Sequence, residues 1–121
     1  IRNLSKQEAV AIYYRDYWTP LRCDVLPPAV AFAVFDAGVN QGTTAAILDL
    51  QKAAGVTQDG IVGPATLAAV AAGAPSDLLI DFLAARGVRY AFSRNLSTFA
   101  GGWFRRLSRA SLFAFWLLGK G

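Results

Sequence analysis

Apolar positions recur along this chain at helical spacing, and the breaks between them fall at proline and glycine. Leu4-Ser5-Lys6-Gln7-Glu8 opens the first segment. Ser5 can cap a helix, and Glu8 stands three residues on, the capping-box spacing. The helix is expected to run to about Trp18, ahead of Pro20. It carries Tyr13, Tyr14, Tyr17 and Trp18, with Tyr13 and Tyr17 on one face. Leu26-Pro27-Pro28 breaks the chain and starts a second helix, because proline is tolerated in a first turn. Ala29 to Phe35 is apolar nearly all round, so Ala29–Asp36 reads as the most buried, central helix. If that helix continues, Phe32, Asp36 and Asn40 stand at i, i+4 and i+8 on one face. A third helix follows from Thr44 to Ala54, with Gly55 as its stop. Asp59-Gly60 makes a turn, and Gly63-Pro64 opens a fourth helix that ends near Gly73. Pro75-Ser76-Asp77 starts a fifth with Ser76 as cap, and Gly87 is expected to kink or end it. Gly101-Gly102 is expected to separate a last segment, Trp103 to Leu118. No alternating apolar pattern with hairpin turns occurs. The pattern predicts an all-α fold of about six helices, a single domain over residues 1–121.

Composition narrows the chemistry. Histidine is absent, which excludes Ser-His and Cys-His nucleophiles and His-ligated zinc. Cys23 is the single cysteine, so no intrachain disulfide or Cys-rich metal site can form. No metal or cofactor is expected. The longest apolar stretch near the end, Leu112 to Leu118, is seven residues, against the roughly 20 a membrane span needs. No charged leader precedes a hydrophobic core, so synthesis in the cytoplasm without a classical signal peptide is expected. Methionine is absent and the chain begins at Ile1, so the gene product is expected to start upstream.

Charge is unevenly placed. Residues 1–81 hold five basic groups and all eight acids, a net of −3, whereas residues 82–121 hold seven basic groups and no acid, a net of +7. A basic end suits an anionic partner, whether nucleic acid, anionic lipid or bacterial cell wall, or is simply a solvated face. Glu8, the only glutamate, is committed to a cap. Among the aspartates, Asp49 and Asp59 lie near turns or solvent, Asp77 and Asp81 in the first turns of a helix, and Asp16 and Asp24 among arginines. Asp36 is the one acid in an apolar context. It reads either as a buried carboxylate that holds a loop or as a cleft-lining group.

Two stretches carry a family resemblance. Leu50-Gln51, Gly55-Val56 and Asp59-Gly60-Ile61-Val62-Gly63-Pro64-Ala65-Thr66 resemble the core of peptidoglycan-binding modules, a pattern that sets a compact helix–loop–helix shape. The wider order is Ile12-Tyr13, Tyr17-Trp18, Leu26-Pro27, Phe35-Asp36-x-x-Val39-Asn40-x-Gly42, then the stretch above, Arg86 and Gly102-Trp103-x-x-Arg106. It resembles the C-terminal two-thirds of the phage-type N-acetylmuramidases of glycoside hydrolase family 108, also called secretion activator proteins. The resemblance implies a lysozyme-like helical fold, a peptidoglycan-binding region over about 26–106, and action on the glycan strand at the bacterial cell wall or periplasm. The family's catalytic glutamate sits in a Glu-Gly-Gly motif upstream of the Tyr-Trp helix, and no Glu-Gly-Gly occurs here. The catalytic residue would therefore lie before Ile1, so no catalytic residue is assigned in this chain. The expected partners are peptidoglycan and the missing N-terminal segment, not nucleic acid; a non-catalytic wall-binding module is the alternative. Tyr13 and Tyr17 would stack on sugar faces. Asn40 and Gln41 would hydrogen-bond sugar substituents beside Asp36. Arg86, Tyr90 and Arg94, at four-residue spacing, would form a polar stripe facing carboxylates or phosphates. The Ser111 to Leu118 run fits no family motif.

Overall fold

A computed structural model describes residues 4–120, and every regular element among them is helical. The six α-helices are α1 (Lys6–Tyr13), α2 (Pro28–Gln41), α3 (Thr43–Ala54), α4 (Pro64–Ala72), α5 (Pro75–Ala91) and α6 (Leu96–Lys120). The capping box forms as spaced: Ser5 Oγ accepts from Glu8 N–H at 3.1 Å, and Glu8 Oε1 accepts from Ser5 N–H at 3.1 Å. Beyond α1 the helix widens into a π-turn over Tyr14–Trp18, where Thr19 N–H reaches back to Tyr14 O at 2.9 Å. Leu21 and Cys23 then turn into the core ahead of α2.

α2 is the central element. Ala29, Val30, Ala31, Ala33, Val34, Ala37 and Gly38 are buried, and α3, α5, α6 and the turns before it pack around it. Its small residues let these neighbours approach closely. At Gly38 an added Cβ would stand 2.6 Å from the fully buried Leu21 Cδ1. α2 and α3 are joined by one residue, Gly42, with φ 96° and ψ 151°, a conformation essentially restricted to glycine.

Four local expectations fail. Ser76 does not cap α5, because Pro75 occupies the first helical position and moves the cap to Ala74, which has no side-chain acceptor. Gly87 neither kinks nor ends α5. Gly101-Gly102 does not separate a segment, since α6 runs through both. Glycine costs a helix only about 1 kcal/mol, and the flanking turns of α6 are anchored by packing against α2 and α5. Asp49 is neither at a turn nor in solvent: it is buried on α3.

The two helical glycines should respond in opposite directions. Gly38→Ala should lower stability by about 1–3 kcal/mol, the usual range for overpacking, because Leu21 has nowhere to move. Gly87→Ala meets Leu107 Cδ2 at an ordinary 3.6 Å and should raise stability by about 0.5–1 kcal/mol. Urea denaturation of both variants checks the pair.

Candidate functional site

The face of α2 turned away from the core stays half exposed at Phe32, Phe35, Asp36, Val39 and Asn40. The shared face expected for Phe32, Asp36 and Asn40 is therefore real, because α2 continues unbroken to Gln41. On one side, α6 forms with this strip a recess of about 400 Å³ lined by Phe32, Asp36, Arg106, Arg109, Ala110 and Phe113. Phe32 and Phe113 meet edge to face there, with centroids 4.6 Å apart. On the other side, Val10, Tyr13, Tyr14, Trp18 and Phe35 line an apolar recess of about 290 Å³. Tyr13 packs on Tyr17 at 5.9 Å and edge-on to Phe35 at 6.4 Å, and Trp18 meets Phe35 at 5.6 Å. The strip thus has one aromatic wall and one basic wall. The π-turn, a feature frequent at functional sites, carries Tyr14, Tyr17 and Trp18 of the aromatic wall.

Behind the strip lies an ion pair. Arg86 of α5 has 0% side-chain exposure, and its Nη1 donates to Asp36 Oδ2 at 2.7 Å; Asp36 keeps 27% exposure. Arg86 Nε and Nη2 both donate to Tyr90 Oη, at 3.2 and 3.1 Å. Tyr90 in turn stacks on Trp103 of α6 at 5.1 Å and meets Phe104 edge-on at 5.9 Å. A second pair ties α5 to α3: Arg89 donates to both carboxylate oxygens of Asp49, at 3.1 and 2.8 Å. The hydrogen bonds from Arg89 to Asp49 raise the pKa of Arg89 against the opposing effect of burial.

These facts correct the stripe expected of Arg86, Tyr90 and Arg94. Arg86 and Tyr90 are buried, so they cannot meet a carboxylate or phosphate in solvent; they position Asp36 instead. Asp36 has an internal partner rather than a purely apolar setting. Asn40 turns its amide back to its own helix, donating to Asp36 O at 2.8 Å. Gln41 lies partly buried, and its Oε1 is a buried polar atom with no hydrogen-bond partner. Arg106 and Arg109, which the sequence reading did not single out as binding residues, line the recess beside Asp36. Arg106 stands in the Gly102-Trp103-x-x-Arg106 motif, whereas the basic, acid-free end is the only sequence signal for Arg109.

The Leu-Gln…Asp-Gly…Thr motif forms a cage around Gln51, which is fully buried. Gln51 Nε2 donates to Asp59 Oδ1 at 2.8 Å, Ile61 O at 2.9 Å and Thr66 Oγ1 at 3.2 Å, and its Oε1 accepts from Gly60 N–H at 3.0 Å. Asp59 Oδ1 also accepts from Ile61 N–H at 3.0 Å. That backbone donor first, and the Gln51 amide second, hold the Asp59 carboxyl below its ordinary value. Cys23 contributes no nucleophile. Its thiol points at Ala31 O at 3.6 Å and is pushed up to about 12, by burial first and by Asp24 second. No cluster of three or more potential metal ligands occurs among the described residues.

Two predictions follow from these contacts. Asp36→Asn should destabilise by roughly 2–4 kcal/mol, because it strands a buried cation that cannot rehydrate. Arg86→Met should cost less, because the carboxylate left behind still reaches water; chemical denaturation of the two variants sets the order. For Asp59 the unfolded chain takes up its proton first, near 3.8. Its contribution is therefore complete above that value and is lost as pH falls through the lower folded value. The drop in denaturation midpoint between about pH 6 and about pH 3 should shrink in Asp59→Asn.

Comparison with known proteins agrees with this layout. Residues 1–42 match the family model described as Glycosyl hydrolase 108. Residues 45–108 match the model described as Predicted Peptidoglycan domain. A search of curated proteins finds no match. Among solved structures, one titled "Structure of Brucella abortus SagA" superposes with a TM-score of 0.90 at 36% identity. The match covers 94% of this chain and 66% of that one, so the chain spans just under two thirds of its relative's length. The second model spans more than half of the chain, which therefore belongs to the Predicted Peptidoglycan domain family, and its first 42 residues are similar to glycosyl hydrolase 108.

Proposed function

We propose that this chain is the wall-binding part of a peptidoglycan-degrading glycosidase of the N-acetylmuramidase type, acting at the bacterial cell wall. The observation that carries the reading is the half-exposed strip of α2, a shallow groove flanked by one recess walled with aromatics and by another lined by Arg106 and Arg109. A glycan strand is linear, with apolar sugar faces and anionic substituents. Tyr13, with Tyr17 behind it and Trp18 beside it, offers surface for the sugar faces. Arg106 and Arg109 offer donors to muramic acid carboxylates or wall phosphates. Asp36, oriented by Arg86 and Tyr90, accepts from sugar hydroxyls, with Asn40 and Gln41 further along the helix.

Glycoside hydrolysis needs a proton donor of raised pKa at the leaving oxygen. Asp36 is clamped by a cation, and Glu8 is engaged in the capping box. In this reading the acid comes from the family's Glu-Gly-Gly segment, which lies before the Tyr-Trp helix in the family's order. The same clamp on Asp36 favours the second reading, a peptidoglycan-binding module without chemistry of its own.

The 121-residue chain should bind purified sacculi and fail to clear them in a turbidity assay. Arg106→Ala with Arg109→Ala should weaken binding about tenfold, two charge-assisted hydrogen bonds' worth after solvent screening, with an unchanged melting temperature. Lysis by this chain alone would make Asp36 the acid, and failure to bind sacculi would remove the wall-binding reading.

A further inference from the structure

The outer face of α6 carries a feature the groove does not use. Leu112 is 76% exposed and Trp116 55%, and Phe113 and Phe115 are exposed beside them. Leu112 and Trp116, four residues apart, lie on one line of the helix. Arg109 and Arg105 continue that line toward the N-terminus, one turn and two turns back. Ala110 and Ala114 point the opposite way and are buried, while Leu117 and Leu118 pack against the core. Lys120 Nζ sits 5.0 Å from the centroid of the Trp116 ring, and Phe113 stacks on the same ring at 5.4 Å. α6 is 25 residues long, about 37 Å. Large contiguous apolar surface on a folded protein marks a site of interaction.

The geometry points to this outer face of α6 as a docking surface for an anionic phospholipid bilayer. Charge complementarity selects the occupant. The face carries Arg105, Arg109 and Lys120, and α6 holds no acid, so a second copy would bring like charges together. A glycan strand offers no apolar phase to receive Leu112 and Trp116. An anionic bilayer supplies both needs: headgroups for Arg105, Arg109 and Lys120, and an acyl boundary for the leucine and aromatic side chains. Lysine and arginine on one face with Trp, Phe and Leu on the adjoining one is the composition of a helix that lies in the interface plane. Trp116 with Lys120 over its ring suits the headgroup level, where tryptophan is enriched. The helix would lie on the bilayer and not cross it, since no single helix among the described residues is long and apolar enough to span. Leu112 and Trp116 do not line the recess on α2, so the apolar anchors of lipid docking are separate from the wall-binding side chains, while Arg109 and Phe113 border both faces.

The test is co-sedimentation of the 121-residue chain with vesicles of phosphatidylglycerol and phosphatidylcholine, against vesicles of phosphatidylcholine alone. Binding is expected on the anionic vesicles, about tenfold weaker on the zwitterionic ones, with loss at high salt. A blue shift of tryptophan fluorescence should accompany it and disappear in Trp116→Ser. The pair Leu112→Ser and Trp116→Ser should reduce partitioning at least about tenfold while melting temperature and sacculus binding stay as they were. Arg105→Glu should weaken the anionic arm alone. The inference is overturned if anionic vesicles leave the chain in solution, or if the paired serine variant binds them as well as the parent. A dimer in analytical ultracentrifugation that the serine variant dissolves would assign the face to a second copy and overturn it too. Sacculus binding is measured separately, so failure here is distinguishable from failure of the wall-binding reading.

Discussion

The structure turns on one buried cation. Arg86 has no access to water, and removing a guanidinium from solvent costs several kcal/mol unless its donors are met. Asp36 and Tyr90 meet them from two directions. Asp36 belongs to α2, Arg86 and Tyr90 to α5, and Tyr90 is stacked on Trp103 of α6. One charge therefore fixes the mutual register of three helices. A slide of one turn along any of them would leave the cation unpaired in the core. The same requirement places the Asp36 carboxylate at the strip's centre with one oxygen committed inward.

Pairing also explains how the surface acquires its sign. Asp36 and Asp49 are taken by Arg86 and Arg89 within the body, and Asp59 is absorbed in the Gln51 cage. α6 has no acid of its own, and Arg105, Arg106, Arg109 and Lys120 are all exposed. The two pairs neutralise Arg86 and Arg89, so the positive potential of the C-terminal third rests on the exposed bases of α6, which no acid of that helix offsets.

What was legible in the sequence was what depends on neighbours in the chain. Ser5 with Glu8, Pro28, Gly55 and Pro64 each set a helix end through local chemistry, and each helix begins or ends there. The shared face of Phe32, Asp36 and Asn40 needed only the helical period. Contacts that close over distance were not legible. Arg86 and Asp36 are fifty residues apart, and no spacing announces that an arginine at a four-residue repeat turns inward. Gly101-Gly102 looked like a break because its propensity is poor, and packing of the flanking turns overrode it. The Gln51 motif was visible as a shape, while its central amide became intelligible only once Asp59, Gly60, Ile61 and Thr66 were seen around it. Asn40 shows the reverse case: the right face, but an amide already engaged with its own backbone.

Gly42 carries a last consequence. The family models meet at this residue, and a modular view would treat it as a linker between two interchangeable units. A single residue held at φ 96° and ψ 151° is not a linker. It leaves the two helices no slack, and the Asp36–Arg86 pair ties α2 to α5 across the same boundary, from about 9 Å back along α2. The two regions that the family models match are therefore joined without slack, so a polymer held by one would be positioned relative to the other by the joint and not by diffusion on a tether. A chimaera joined at this residue would keep the pair only if one half supplied the aspartate of α2 and the other the arginine of α5.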